Sequence, residues 1–302
     1  MSGIAGNGCE IVVPFNERKS LDEIERSLRK TYKKNIWSKF VRAIKDFKMI
    51  EEGDKIAVAI SGGKDSMLMA KLFQELKRHG QMNFELEFIV MDPGYHPQIK
   101  ELLISNCEHL NIPITIFESG IFDIVDKIAQ DYPCYMCAKM RRGALYNRAK
   151  QLGCNKLALG HHYNDVIETT MLNILYGASF KTMLPKLKSD NFEGMELIRP
   201  MYYVEETYIK RFTQNAGIWP LNCACMVAAK KVGNKRYEIK EMIENLKKDF
   251  KDVEKSIFNA AKNVNMNSII GWEKDGVKYS YLDEYNDNVI GESLEDGEDK
   301  EM

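Results

Sequence analysis

The stretch Ser61-Gly62-Gly63-Lys64-Asp65-Ser66 concentrates the residue types that hold a phosphate. Two adjacent glycines allow positive φ and let a ligand approach the backbone. Loop N–H groups and a following helix N-terminus converge on one spot and favour an anion. Lys64 adds a mobile positive charge, Ser61 and Ser66 add hydroxyls, and Asp65 can cap the helix or hold Mg²⁺. The segment is neither GxxxxGK[ST] nor GxGxxG, so the two common nucleotide-loop patterns do not describe it.

Two further groups carry chemistry. In Leu159-Gly160-His161-His162-Tyr163-Asn164-Asp165, His161 ends an apolar run and Asp165 opens a helical one. That is where α/β sheets bind ligands. Asp165 is read with equal weight as a helix cap and as a group that positions metal or moves a proton, and His162 and Glu168 are weaker candidates. Cysteines recur as Cys134/Cys137 and Cys223/Cys225. Thiols at a helix N-terminus have lowered pKa values and make better ligands. The one-residue gap between Cys223 and Cys225 suits a zinc knuckle poorly, whereas an iron–sulfur cluster accepts cysteines from distant segments. Cys107 lies on an apolar helical stripe and is expected in the core, and Cys154 is expected to be incidental.

The elements that must position these groups follow from hydrophobic period. Short apolar runs at 55–60, 86–91, 114–117, 156–160 and 197–201 read as buried strands. Helical stripes lie between them, such as Leu68, Leu72 and Leu76 ended by Gly80. The expected fold is α/β, a doubly wound, mostly parallel five-stranded sheet. A helical lead-in (1–50, opened by a Ser20/Glu23 capping box and without structure before about residue 18) is expected before it. The main domain is expected over 51–230, C-terminal helices over 231–285 and a disordered acidic tail over 286–302.

Composition narrows the class. Of 302 residues, 44% are hydrophobic and 29% charged, as in a globular protein. The tail from Asn286 carries seven acids and one lysine, so the rest of the chain bears +5 against a total of −1. A basic body admits nucleic acid as partner. Basic residues cluster beside Cys137 (Lys139, Arg141, Arg142, Arg148, Lys150) and along 29–45 with Tyr32 and Trp37. No apolar run reaches the ~20 residues of a membrane span. Seven cysteines without an apparent secretory signal lead to the expectation of a cytoplasmic protein.

Ser61–Ser66 after the first strand resembles the PP-loop of the ATP pyrophosphatases. With Cys134-x-x-Cys137 before Arg141-Arg142-Gly143-Ala144-Leu145, the Gly160–Asp165 segment and a late cysteine, the chain resembles the tRNA 2-thiocytidine synthetase family over roughly residues 35–230. Asn164 stands where that family's tRNA-modifying relatives carry a first Asp. The resemblance implies that Ser61, Gly62, Gly63, Lys64, Asp65 and Ser66 grip ATP, and that Met91, Gly160 and His161 border it. Lys64, Asp65 and Asp165 are then the catalytic residues, with Mg²⁺. It also implies a [4Fe-4S] cluster on Cys134, Cys137 and a third cysteine, with Cys223 favoured over Cys225.

The implied activity is ATP-dependent, iron–sulfur-dependent thiolation of cytidine at tRNA position 32 to 2-thiocytidine, through adenylation of the C2 oxygen and sulfur transfer. The implied partners are tRNA and a cysteine desulfurase or other sulfur donor, with a homodimer as an open alternative. Two rival expectations stand beside it. One is a PP-loop sulfurtransferase for another RNA or a small molecule. The other is a non-catalytic ATP-binding iron–sulfur sensor.

Overall fold

The computed structural model describes residues 3–5, 9–11, 17–119, 133–221 and 235–285. Side chains are described for 17–119, 139–221, 235–283 and 285. The strands are β1 (Lys55–Ile60), β2 (Glu85–Asp92), β3 (Ile114–Glu118), β4 (Lys156–Ala158), β5 (Lys186–Lys188) and β6 (Glu196–Ile198). They form one six-stranded sheet in the order β3-β2-β1-β4-β6-β5. Neighbours are parallel from β3 through β6, and β5 runs antiparallel on the outer edge.

The expectation of five strands is therefore corrected to six. The five parallel strands fall on the five apolar runs. The sixth, Lys-Leu-Lys, pairs on one side only and is largely polar. Charged, short edge strands resist further pairing and carry no apolar signature.

Helices α1 (Leu21–Arg29), α2 (Ser38–Asp46), α3 (Lys64–His79), α4 (Pro97–His109), α5 (Pro133–Gln151), α6 (Tyr163–Gly177), α7 (Glu206–Ala216), α8 (Lys235–Asp249) and α9 (Val253–Ala260) surround the sheet. Alternation along β1 divides its residues between two cores. Ile56, Val58 and Ile60 join Met67, Phe73, Ile99 and Leu103 on one face. Ala57 joins Ile89, Leu157, Tyr146 and Ala149 on the other. Both faces are thus covered, which is the condition for buried parallel strands.

The lead-in begins with the expected capping box: Ser20 N–H donates to Glu23 Oε2 at 3.1 Å, and Glu23 N–H donates to Ser20 Oγ at 3.4 Å. A π-turn over Lys33–Trp37 separates α1 from α2. Ile24, Leu28, Ile36 and Phe40 are buried in the same core as α3, so the lead-in is packed and not appended. Gly217 ends α7 at φ +67, where a Cβ would lie 2.4 Å from Glu17 O. Glycine is needed there for both backbone sign and close approach.

Two expectations of irregular or helical chain are corrected. Gly3–Ala5 and Cys9–Ile11 pair as a short hairpin within the segment expected to lack structure. A second hairpin, β7 (Gly271–Lys274) with β8 (Val277–Ser280), lies within the stretch expected to be helical. Its turn carries Asp275 at φ 54 and Gly276 at φ 79. An Asp-Gly pair with both φ positive is the preferred two-residue hairpin turn. This hairpin and the helix α10 (Tyr281–Tyr285) belong to a compact unit over Asn259–Met302, separate from Met1–Phe258. The expected acidic tail lies outside the described residues. Among the described residues no helix is long and apolar enough to cross a membrane.

Candidate nucleotide and RNA-modification site

The phosphate-loop candidate sits between β1 and α3. Gly62 has φ +79, and a Cβ on it would lie 2.5 Å from Leu221 Cδ1. Its carbonyl accepts from Leu221 N–H at 2.9 Å, which fastens the loop. Ser66 Oγ donates to Gly63 O at 2.9 Å and accepts from Ser61 N–H at 3.2 Å. The loop is thus braced from inside by its own hydroxyl. Gly63 is the helix N-cap with no side-chain partner, so α3 presents uncapped N–H groups. Asp65, expected as a cap or metal ligand, does not cap. It pairs with Lys64 at 3.0 Å.

Lys64 is held from two sides. Its ammonium lies 3.0 Å from Asp65 and 3.2 Å from Glu206 at the start of α7. Burial works to lower its pKa, but the Asp65 and Glu206 carboxylates outweigh it and hold it above the ordinary range. Glu206 meets burial too, yet Lys240 at 2.6 Å, Lys64 and Lys210 at 3.0 Å keep its carboxyl well below the usual value.

The second arm of the site lies at the end of β4. A Cβ on Gly160 would lie 3.3 Å from the backbone of Asp65 and Ser66, so its bare backbone brings the two loops together. His162 Nε2 stands 3.7 Å from Asp65 Oδ1 and 3.5 Å from Asp165 Oδ2. His162, ranked lower from sequence, is therefore the histidine between the two carboxylates. Asp165 Oδ2 accepts the His162 backbone N–H at 2.9 Å, while Oδ1 receives Arg236 at 2.9 Å. Asp165 thus completes a capping box from the third helical position, with His162 as the N-cap, and pairs with Arg236 through its other oxygen. Burial opposes its ionisation, but His162 and Arg236 hold its pKa below the ordinary value.

His161 is pushed down to about 4, first by burial and then by Arg199, Arg236 and Arg142, against the pull of Asp165. Glu168 on α6 is pushed up to about 7 by burial, with Arg236 opposing and Asp165 assisting. Asn164 accepts the Glu206 N–H through Oδ1 at 2.9 Å and donates to Glu254 at 2.9 Å. An amide can do both, which a carboxylate cannot. The departure from Asp thereby ties α6 to α7 and α9.

Met91 lies one residue past Val90, the last β2 residue in register with β1, and its side chain is buried. Any ligand contact from it is therefore through backbone. Helix α5 starts at Pro133, earlier than the start near Cys137 that the sequence suggests, so Cys134 falls in its first turn and Cys137 opens the second. Their side chains, and all of Cys223 and Cys225, lie outside the described residues. Among the described residues no group of three or more His, Cys, Asp or Glu is placed to hold a metal. Cys107 is buried as expected, with its thiol pushed up to about 12 by burial. Cys154 is also buried and pushed up to about 11. Neither thiol has the low pKa of a ligand or nucleophile.

Sequence reasoning missed Arg236, Glu206 and Lys240. They come from helices far along the chain, inside charged stripes that look like ordinary solvated faces. No local spacing distinguishes them.

Residues 28–220 match the PP-loop domain family ATP_bind_3. The tRNA-cytidine(32) 2-sulfurtransferase of Citrifermentans bemidjiense is 37% identical over 226 residues, covering 74% of this chain and 88% of that protein. Its counterpart of the same name from Vibrio vulnificus is 37% identical over 251 residues, covering 80% of this chain and 79% of that protein. Among solved structures, the U34-tRNA thiolase NcsA from Methanococcus maripaludis with its [4Fe-4S] cluster superposes with a TM-score of 0.56. That match covers 80% of this chain and 77% of that chain at 23% identity, and it speaks to the fold. On the sequence match over the body of the chain and the loop geometry above, the protein belongs to the PP-loop family and, within it, to the tRNA-cytidine(32) 2-sulfurtransferase family.

Proposed function

We propose that this chain uses ATP to convert cytidine 32 of tRNA to 2-thiocytidine, with residues 51–230 as the catalytic domain. The family's named reaction supplies the substrate. The observation that carries the ATP step is the braced Ser61–Ser66 loop, with Lys64 charged and oriented by Asp65 and Glu206. The β- and γ-phosphates lie against the loop N–H groups and the α3 N-terminus, with Met91, Gly160 and His161 bordering the nucleotide.

Chemically, the cytidine C2 oxygen attacks the α-phosphorus of ATP. A C2–O–P bond forms, the α–β phosphoanhydride breaks and pyrophosphate leaves. Lys64 neutralises charge that grows on the phosphate oxygens in that step. Asp165, kept ionised by His162 and Arg236, orients the histidine at the reacting face. Asp65 Oδ1 is buried without a hydrogen-bond partner among the described residues, which suits it to hold Mg²⁺. A sulfide equivalent from a donor then adds at C2, and AMP departs with the C–O bond to leave C=S.

Cys134 and Cys137, with Cys223 or Cys225 as third, would hold a [4Fe-4S] cluster. The two cysteines near the start of α5 are a donor set of the right chemistry. When bound, the cluster supplies a place to carry sulfur. tRNA and a sulfur donor such as a cysteine desulfurase are the partners in this scheme.

Pyrophosphate release on adding unmodified tRNA and ATP tests the adenylation step. Lys64→Ala is expected to cut the rate by about a hundredfold or more. An unchanged rate would remove Lys64 from the mechanism. No release by the intact chain would favour an ATP-binding sensor.

A further inference from the structure

Arg199 follows β6, whose Ile198 is in register with Ala158 of β4. It therefore emerges at the same sheet edge as Gly160 and His161. The residue is buried, at 5% exposure. One N–H group donates to the Leu184 carbonyl, yet its Nε is buried with no partner. His161 Nδ1 is also buried and unpartnered. Two buried polar atoms at one sheet edge, without a partner among the described residues, are costly unless a ligand satisfies them.

Charge at this place points to one ligand class. Arg142 on α5 lies close enough to Arg199 and His161 to destabilise positive charge on both. Arg142 is exposed and five residues beyond Cys137 on the same helix. Two arginines from different elements thus share one electrostatic neighbourhood, and among the described residues no carboxylate is hydrogen-bonded to Arg199. Asp165, the nearby acid, is already engaged by Arg236 and the His162 N–H. Like charges brought together around unpartnered donors are the signature of a site for an oxyanion, since guanidinium groups bind phosphate through paired N–H bonds.

We propose that Arg142, Arg199 and His161 form a phosphate site, distinct from the Ser61–Ser66 loop, at the C-terminal edge of the sheet. It deepens the tRNA thiolation reading and rests on it. The phosphate belongs either to the adenylyl group or to the RNA backbone beside the target cytidine. In both cases the site holds the reacting nucleotide beside the phosphate loop.

The test uses the full chain, with Arg142→Gln on the exposed arginine and Arg199→Lys on the buried one. ATP alone and unmodified tRNA alone are titrated at several salt concentrations. Loss of a charge-assisted phosphate contact is expected to weaken one ligand by about tenfold or more. Weakened ATP binding with unchanged tRNA binding assigns the site to the nucleotide. Weakened tRNA binding, with a salt slope lower by about one, assigns it to the RNA backbone. Thermal melting checks the fold, and if Arg199→Lys melts early the Arg142→Gln result decides alone. Affinities for both ligands within twofold of the parent in a folded Arg142→Gln chain would overturn the site. A parent chain that binds neither ligand would overturn the thiolation reading, and the site with it.

Discussion

Glu168 and His161 have pKa values shifted in opposite directions, and their contributions to stability oppose each other between about pH 4.5 and 6.5. Glu168, raised from 4.5 to about 7, keeps its proton in the folded state after the unfolded chain has lost it. Its contribution makes stability fall as pH rises through that window, by up to about 3 kcal/mol. His161, lowered from 6.5 to about 4, has lost its proton in the folded state while the unfolded chain still holds one. Its contribution makes stability rise with pH. The two oppose each other in the parent protein, so its profile is expected to be shallow. Glu168→Gln leaves the histidine slope uncompensated, and urea midpoints of the variant should climb between about pH 4.5 and 6.5. A variant profile parallel to the parent's would remove Glu168 as a titrating group. At this scale the sequence was most legible where chemistry is local. Gly62, Lys64 and Ser66 sit within five residues of one another, and the loop they form is the loop expected. Arg236 reaches Asp165 from 71 residues away, a pairing created by packing and by nothing in local spacing.

The elements carry a different kind of dependence. Helix α3, which presents Lys64, is fastened to α1 by a buried ion network. Lys71 is 1% exposed and donates to Glu25 and Gln74 at 2.7 Å each and to the Leu110 carbonyl at 3.0 Å. Arg78 joins Glu25 from the rim at 2.5 Å. Glu25→Ala leaves the Lys71 ammonium buried with its ionic partner gone, and is expected to cost about 3–5 kcal/mol in chemical denaturation. Replacing the pair together, Glu25→Leu with Lys71→Met, should cost clearly less, because no uncompensated charge remains. Equal losses in the two variants would contradict this account. The parallel strands were readable as apolar runs because both of their faces are buried. The edge strand Lys186–Lys188 and the hairpin over 271–280 escaped because half-exposed or turn-driven strands lack that signature. The interruption between α1 and α2 also escaped, since a π-turn keeps a helical hydrophobic period.

For the whole molecule, the lead-in, sheet and helices through Phe258 share one unit, and the chain from Asn259 forms another. The catalytic account needs only the first. There the phosphate loop and the β4 edge meet at the C-terminal side of one parallel sheet, which is the reason a sequence of alternating runs could point to the site at all. Charge points the same way, with a body of +5 set against the acidic tail. Nucleoside mass spectrometry of tRNA from cells lacking this protein tests the central claim directly. The account predicts that 2-thiocytidine disappears, returns with the intact chain, and does not return with Cys134→Ser. An unchanged content of 2-thiocytidine in the deleted cells would contradict it.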